Sequence, residues 1–285
     1  MTRLAPMVAV ALVAASLTAN GQAPVFSSKV EAVRVDVLVT KGGKPVGGLT
    51  PKDFEIIDNG VRQQVDLVSF ERLPLNVILA LDMSYSVIGE RLTNLRRGAD
   101  ALLKGLNADD KSALVTFNDA VTLRAGPTAD AARIRAALDR MTPAGNTSVV
   151  DASFASIVLG ESDVGRPLVI VFSDGGDTSS WLKPADVLEI GKRTDAVVYA
   201  IATGRGPQLD FLNDLTDTTG GRLFEIESTK NLEATFLGVL EEFRQRYVVS
   251  YSPEGVSRDG WHRLAVRVTT GDVKVKARPG YLAGR

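Results

Sequence analysis

The chain has 285 residues, 45% of them hydrophobic and 24% charged, the balance of a globular protein rather than of a disordered or fibrous one. Lys and Arg number 33 against 34 Asp and Glu, a formal net charge of −1 with no compact basic run, which excludes a nucleic-acid protein driven by phosphate neutralisation. Cysteine is absent and His262 is the only histidine, so thiol catalysis, disulfides, cysteine-linked lipid anchors and multi-histidine metal sites are excluded too.

Residues 1–21 read as a secretory signal peptide: Arg3 precedes a short apolar stretch, Met7–Leu17, and the small residues Ala19 and Gly21 follow. That stretch is too short to cross the roughly 30 Å hydrocarbon core as a helix. No later run reaches membrane-spanning length, so the expectation is an exported protein, periplasmic or secreted, with no membrane span in its mature chain. Residues 22–73 are expected to be β structure. Val33, Val35, Val37 and Val39 alternate with Arg34 and Asp36, a half-buried strand, and Asp58-Asn59-Gly60 marks a tight hairpin.

From residue 74 to 247 strands and helices alternate. Asn76–Leu81 and Leu168–Phe172 are continuous apolar runs, as strands buried on both faces require. Leu92, Leu95, Ala99, Leu102 and Leu106 form one helical stripe, and Ile134, Leu138 and Met141 another. Val121–Arg124 reads as a short edge strand, and a closing helix is expected over Leu232–Tyr247. The pattern predicts an α/β fold, a doubly wound, mostly parallel six-stranded sheet covered by helices. In residues 248–285 the period returns to two: Leu264, Val266 and Val268, then Val273, Val275 and Ala277. Neither β flank is large enough to stand alone, so the two are expected to pair as one small antiparallel sandwich into which the α/β unit is inserted.

Candidate chemistry gathers at the carboxyl ends of the apolar strands, where ligands sit in open α/β sheets. Asp82, Ser84 and Ser86 recur at every second position after the first, and Asp174 follows the other in Ser173-Asp174-Gly175. Between them Gly145-Asn146-Thr147-Ser148 offers a hydroxyl on a glycine-led loop. Oxygen-only donors of this kind suit Mg²⁺, Mn²⁺ or Ca²⁺.

These three loops, in this order, resemble the metal-ion-dependent adhesion site of the von Willebrand factor type A domain. The flanks, VRVDVLVT and GLTPKDFEIIDNG ahead and RQRYVVSYSP behind, are similar to those of exported proteins grouped as von Willebrand factor A-related acidobacterial domains. The resemblance implies Asp82, Ser84, Ser86, Thr147 and Asp174 as metal ligands. It also implies adhesion-type binding, in which an Asp or Glu of a partner protein completes the coordination sphere. Ser148 reads as a helix cap, Asp151 as a first-turn acid favouring the helix dipole, and Asp177 as solvent-facing. Tyr85, Val87, Ile88 and the neighbourhood of Trp181 are expected to form an apolar rim that selects the partner. His262 reads as a strand residue at the sandwich edge.

An enzyme is the competing class, but the expectation is none. No Gly-x-Ser-x-Gly elbow or phosphate loop follows a strand, and metal-assisted hydrolysis lacks an evident general base. The other alternative is a structural or empty metal site in a protein that binds partners through its sandwich edges.

Overall fold

The computed structural model describes residues 32–70, 73–162, 165–203 and 207–284; the expected signal segment 1–21 lies outside them. The first strands are β1 (Val33–Lys41), β2 (Lys44–Pro45), β3 (Phe54–Asp58), β4 (Val61–Gln63) and β5 (Leu67–Ser69). The α/β alternation then runs β6 (Leu75–Asp82), α1 (Glu90–Gly105), β7 (Lys111–Phe117), β8 (Val121–Thr128), α2 (Ala131–Asp139) and α3 (Val149–Gly160). It continues β9 (Arg166–Ser173), α4 (Pro184–Gly191), β10 (Val197–Thr203), α5 (Pro207–Thr218), β11 (Leu223–Ile226) and α6 (Leu232–Arg244). The chain closes with β12 (Tyr247–Tyr251), β13 (Gly260–Val268), β14 (Lys274–Lys276) and β15 (Gly280–Ala283).

The central sheet has six strands in the order β11-β10-β9-β6-β7-β8, parallel except for β8. β6 is buried along its whole length because alternate side chains enter two cores. Val77, Leu79 and Leu81 join the cluster of Leu95 and Leu102 from α1 and Phe236 and Leu240 from α6. Ile78 and Ala80 join Val149 and Ile157 from α3 and Leu212 and Leu215 from α5. Each fully buried large aliphatic side chain contributes about 1.5–3 kcal/mol, which is why Val77–Leu81 is apolar throughout; Asn76, buried ahead of it, donates to the Gly160 carbonyl at 3.0 Å. Gly98 lets α6 approach α1: a Cβ there would lie 2.8 Å from the Phe236 ring.

The flanks interleave in two antiparallel sheets. One has the order β14-β1-β12-β5, with β2 paired to β1, and the other β15-β13-β3-β4. Val35, Val37, Ile56, Tyr247, Val249 and Leu264 share the core between them. Three expectations need correction. The edge strand after β7 runs to Thr128, beyond the apolar signal. The last helix ends at Arg244, and Tyr247 opens β12, where its hydroxyl donates to the Val46 carbonyl at 2.7 Å inside the sandwich. His262 is not at an edge: β13 is an interior strand, and the ring is fully buried with Nδ1 2.7 Å from the Asp58 carboxylate. Tyr251 and Tyr281 donate to the other oxygen of Asp58, both at 2.9 Å.

Buried arginines fasten sandwich to sheet. Arg166, the first residue of β9, binds Asp36 of β1 through Nε at 2.6 Å and lies over the Phe243 ring. Arg246 donates to the Gly220 carbonyl at 2.7 Å, and Arg278 to the carbonyls of Thr194 and Lys192 at 2.7 and 2.9 Å. Truncating Asp36 to Ala strands the buried Arg166 guanidinium and is expected to cost about 3–5 kcal/mol. Urea unfolding measures this, and an unchanged midpoint would show that the pair carries no net stability.

Candidate metal centre

β6 lies between β9 and β7; the connection leaving β6 runs through α1 to β7 and the one leaving β9 runs through α4 to β10, so the two diverge and open a crevice at the carboxyl edge. Asp82 ends β6, Ser173 ends β9, and Asp174 is the next residue. The loop before α3 is tied to the same edge by backbone bonds: Ala144 donates to the Met83 carbonyl at 2.8 Å and Tyr85 to the Gly145 carbonyl at 3.1 Å. Thus Asp82, Ser84, Ser86, Thr147 and Asp174 are brought together.

Their contacts form a chain of oxygens. Asp82 Oδ1 accepts the Ser84 amide at 2.8 Å, and its Oδ2 accepts the Ser173 hydroxyl at 2.8 Å. Ser84 Oγ and Ser86 Oγ are 2.8 Å apart, and Ser86 Oγ donates to Asp174 Oδ1 at 2.5 Å. A Cβ at Gly175 would sit 3.4 Å from Thr147 Oγ1 and 3.6 Å from Ser86 Oγ, so both hydroxyls lie over the same glycine. Arg91, on the first turn of α1, donates through Nη1 to Asp174 Oδ2 at 2.8 Å and to the Ser86 carbonyl at 3.0 Å.

Around this chain the loops are braced by carboxylates. Gly145 has φ +78°, and Asp119 fills the space its side chain would need, accepting the Asn146 amide at 3.0 Å. Thr147 is held from both sides, its amide bonded to Thr178 Oγ1 at 3.1 Å and its carbonyl accepting the amides of Thr178 and Ser179. Asp177 does not face solvent as expected. It accepts the Val150 amide at the start of α3 and the Ser180 amide, and so caps that helix from another loop. Ser148 occupies the N-cap position without a side-chain capping bond, and its buried hydroxyl has no partner among the described residues. Asp151 does lie in the first turn, but its carboxylate accepts the amides of Trp181 and Leu182, both at 2.9 Å, which pins the loop after β9.

The expected rim is corrected at one position. Tyr85, Ile88 and Trp181 are exposed, Trp181 by 93%, whereas Val87 is fully buried in the core beneath α1. Sequence reasoning passed over two polar contributors. Ser173 ends a hydrophobic strand, and only its adjacency to Asp174 hinted at a role. Arg91 sits amid the charged surface of α1, and no spacing singles it out.

The Asp82 side chain is fully buried, and among the described residues no cationic side chain contacts it. Burial pushes its carboxyl up from 3.8 to about 6, against the hydrogen bonds from Ser84 and Ser173 that lower it. A buried anion beside three hydroxyls, with oxygen as the only donor type, fits a small hard divalent cation.

An open parallel sheet whose central strand delivers an Asp-x-Ser-x-Ser loop to its carboxyl edge defines a class of fold, and the comparisons give that class its name. Residues 77–176 match the von Willebrand factor type A domain family. Over that span the chain is similar to the von Willebrand factor type A domain, and its fold is of that kind. The mouse inter-alpha-trypsin inhibitor heavy chain H2 is 25% identical over 172 residues, 54% of this chain but 18% of that protein, so the chain spans less than a fifth of that relative's length. Among solved structures, a von Willebrand factor type A protein from Catenulispora acidiphila shares the fold with a TM-score of 0.55 at 12% identity, over 86% of this chain and 76% of its own. Proximal thread matrix protein 1 from the mussel byssus, solved with a zinc-occupied MIDAS motif, has a TM-score of 0.54 at 17% identity, over 65% of this chain and 49% of its own.

The raised Asp82 carboxyl has a signed consequence for the cation-free protein. The native state holds this proton to higher pH than the unfolded chain, so the stability it contributes is full below about pH 4 and lost as pH rises through about 6. The loss is on the order of 2–3 kcal/mol. With chelator present, urea midpoints at pH 4.5 and 7 are expected to fall for the parent and to change much less for Asp82→Asn. Equal slopes in both proteins would contradict the burial argument.

Proposed function

We propose that the chain is a divalent-cation-dependent protein-binding module. In this reading Asp82, Ser84, Ser86, Thr147 and Asp174 hold one Mg²⁺, or Mn²⁺ or Ca²⁺, and a carboxylate of a partner protein completes its coordination. The observation that carries it is Asp82: an enclosed carboxylate that no cationic side chain among the described residues contacts, set at one end of a run of hydroxyls. When bound, the ion supplies an electrophilic position that attracts an anionic oxygen. The residues do the rest. Ser84, Ser86 and Thr147 contribute neutral oxygens, which leave the cation's charge largely intact. The Ser84 amide and the Ser173 hydroxyl fix the Asp82 carboxylate in place. The zinc-occupied motif of the mussel protein supports a divalent ion at a site of this kind.

Tyr85, Ile88 and Trp181 stand around the site as exposed apolar groups and in this proposal choose the partner by contact area. No reaction is assigned to the site, and the module would act after export directed by residues 1–21.

Two outcomes test the proposal. Mg²⁺ at about a hundredfold over its Kd is expected to stabilise the parent by about 2.7 kcal/mol, read as a higher Tm that chelator reverses. Thr147→Ala should lose most of that rise and keep the fold; a Tm indifferent to Mg²⁺, Mn²⁺ and Ca²⁺ would sink the reading. In capture from an exported protein fraction with Mg²⁺ against chelator, Trp181→Ala is expected to weaken retention of the partner about tenfold at unchanged cation affinity.

A further inference from the structure

We propose that Arg91 sets the charge of the cation site, weakening cation binding while keeping the bound ion attractive to an external carboxylate. The inference rests on the metal reading above and adds a residue that determines specificity.

The Asp174 side chain is wholly enclosed, and both its oxygens are engaged, Oδ1 by Ser86 and Oδ2 by Arg91. Arg91 itself remains 51% exposed. A guanidinium does not release its proton near neutral pH, so its charge at the site is constant. Exposed ion pairs are ordinarily weak because water screens them, but here one partner is shut off from solvent. The guanidinium's second bond, to the Ser86 carbonyl, fixes it on the loop that carries two of the hydroxyls.

The charge balance follows from the neighbours. Asp151 and Asp177 spend their carboxylates on backbone amides of the surrounding loops, and Asp119 on Asn146. Glu90, beside Arg91, is paired with Lys230 at 3.7 Å. Among the described residues the two carboxylates joined to the chain of hydroxyls are Asp82 and Asp174, and Arg91 offsets the charge of the second. A divalent ion placed there keeps about one unit of positive charge. Without Arg91 the two carboxylates would match the ion, which would bind more tightly and attract an incoming anion less.

Arg91→Gln keeps an amide donor within reach of Asp174 and removes the charge. The experiment measures Mn²⁺ affinity of the full chain by electron paramagnetic resonance, in chloride and in acetate, with free Mn²⁺ corrected for acetate binding. Acetate is the carboxylate probe; by linkage it tightens Mn²⁺ binding to the extent that it prefers the loaded site. The expected result is about tenfold tighter Mn²⁺ binding by Arg91→Gln in chloride, the scale of one screened charge a few ångströms away, with a smaller acetate effect than in the parent. In an Asp174→Asn background, the same substitution should change Mn²⁺ affinity less than twofold. Equal or weaker Mn²⁺ binding by Arg91→Gln, an unchanged acetate effect, or the same gain in the Asp174→Asn background overturns the role of Arg91 and leaves the cation site standing. Absence of Mn²⁺ binding in both parent and variant overturns the cation site as well.

Discussion

Holding a carboxylate beneath the surface without a cation beside it costs free energy, and the geometry around Asp82 is arranged around that cost. The strand that carries it must be apolar on both faces, because α1 and α6 cover one side and α3 and α5 the other. After the apolar run Val77–Leu81 its last residue, Asp82, stands at the sheet edge between diverging crossovers. The Ser84 amide and the Ser173 hydroxyl offset part of the desolvation, yet burial still holds the carboxyl up at about 6. The carboxylates of the neighbouring loops contrast with it. Asp119, Asp151 and Asp177 each accept backbone amides, and so give the loops their shape.

Much of the architecture is legible in the sequence because burial writes it there. A run such as Asn76–Leu81 permits one kind of strand, and the helical stripes around it leave one kind of sheet. Asp82, Ser84, Ser86 and Asp174 were legible for a related reason, since they end or closely follow strands that burial fixes, whereas Thr147 lies between α2 and α3 and was marked only by its glycine-led loop. What stayed hidden depends on contacts between distant parts of the chain. His262 looks like a residue of an exposed period-two strand, and its partner Asp58 lies 204 positions away. Asp177 and Val150 meet only because their loops share the sheet edge. Val87 reads as part of an exposed loop, but the short turn ahead of α1 rolls it inward. Arg91 carries no periodic signal at all; its place against Asp174 is a matter of three dimensions.

The sandwich is more than an appendage. Arg166, Arg246 and Arg278 are nearly or fully buried, and each bonds across the boundary between the central sheet and its flanks or the connection between them. Ion pairs and carbonyl bonds of this sort demand close geometry, since a buried guanidinium left short of partners is costly. They give the α/β unit a fixed seat, and the connection from α6 to β12 is only two residues long, Gln245 and Arg246.

The interleaving of the flanks also dictates an order of assembly. β1 pairs with β12, so that Val33 meets Tyr251, and β3 pairs with β13. A ribosome makes β1 near the beginning and its neighbour only after the whole doubly wound unit has appeared. The valine-rich ribbon must wait, unpaired, through the synthesis of the region it will eventually enclose, and closing so long a loop is slow. Through that interval it is an open edge in need of cover, which makes the nascent chain most vulnerable to wrong partners at the end that emerges first.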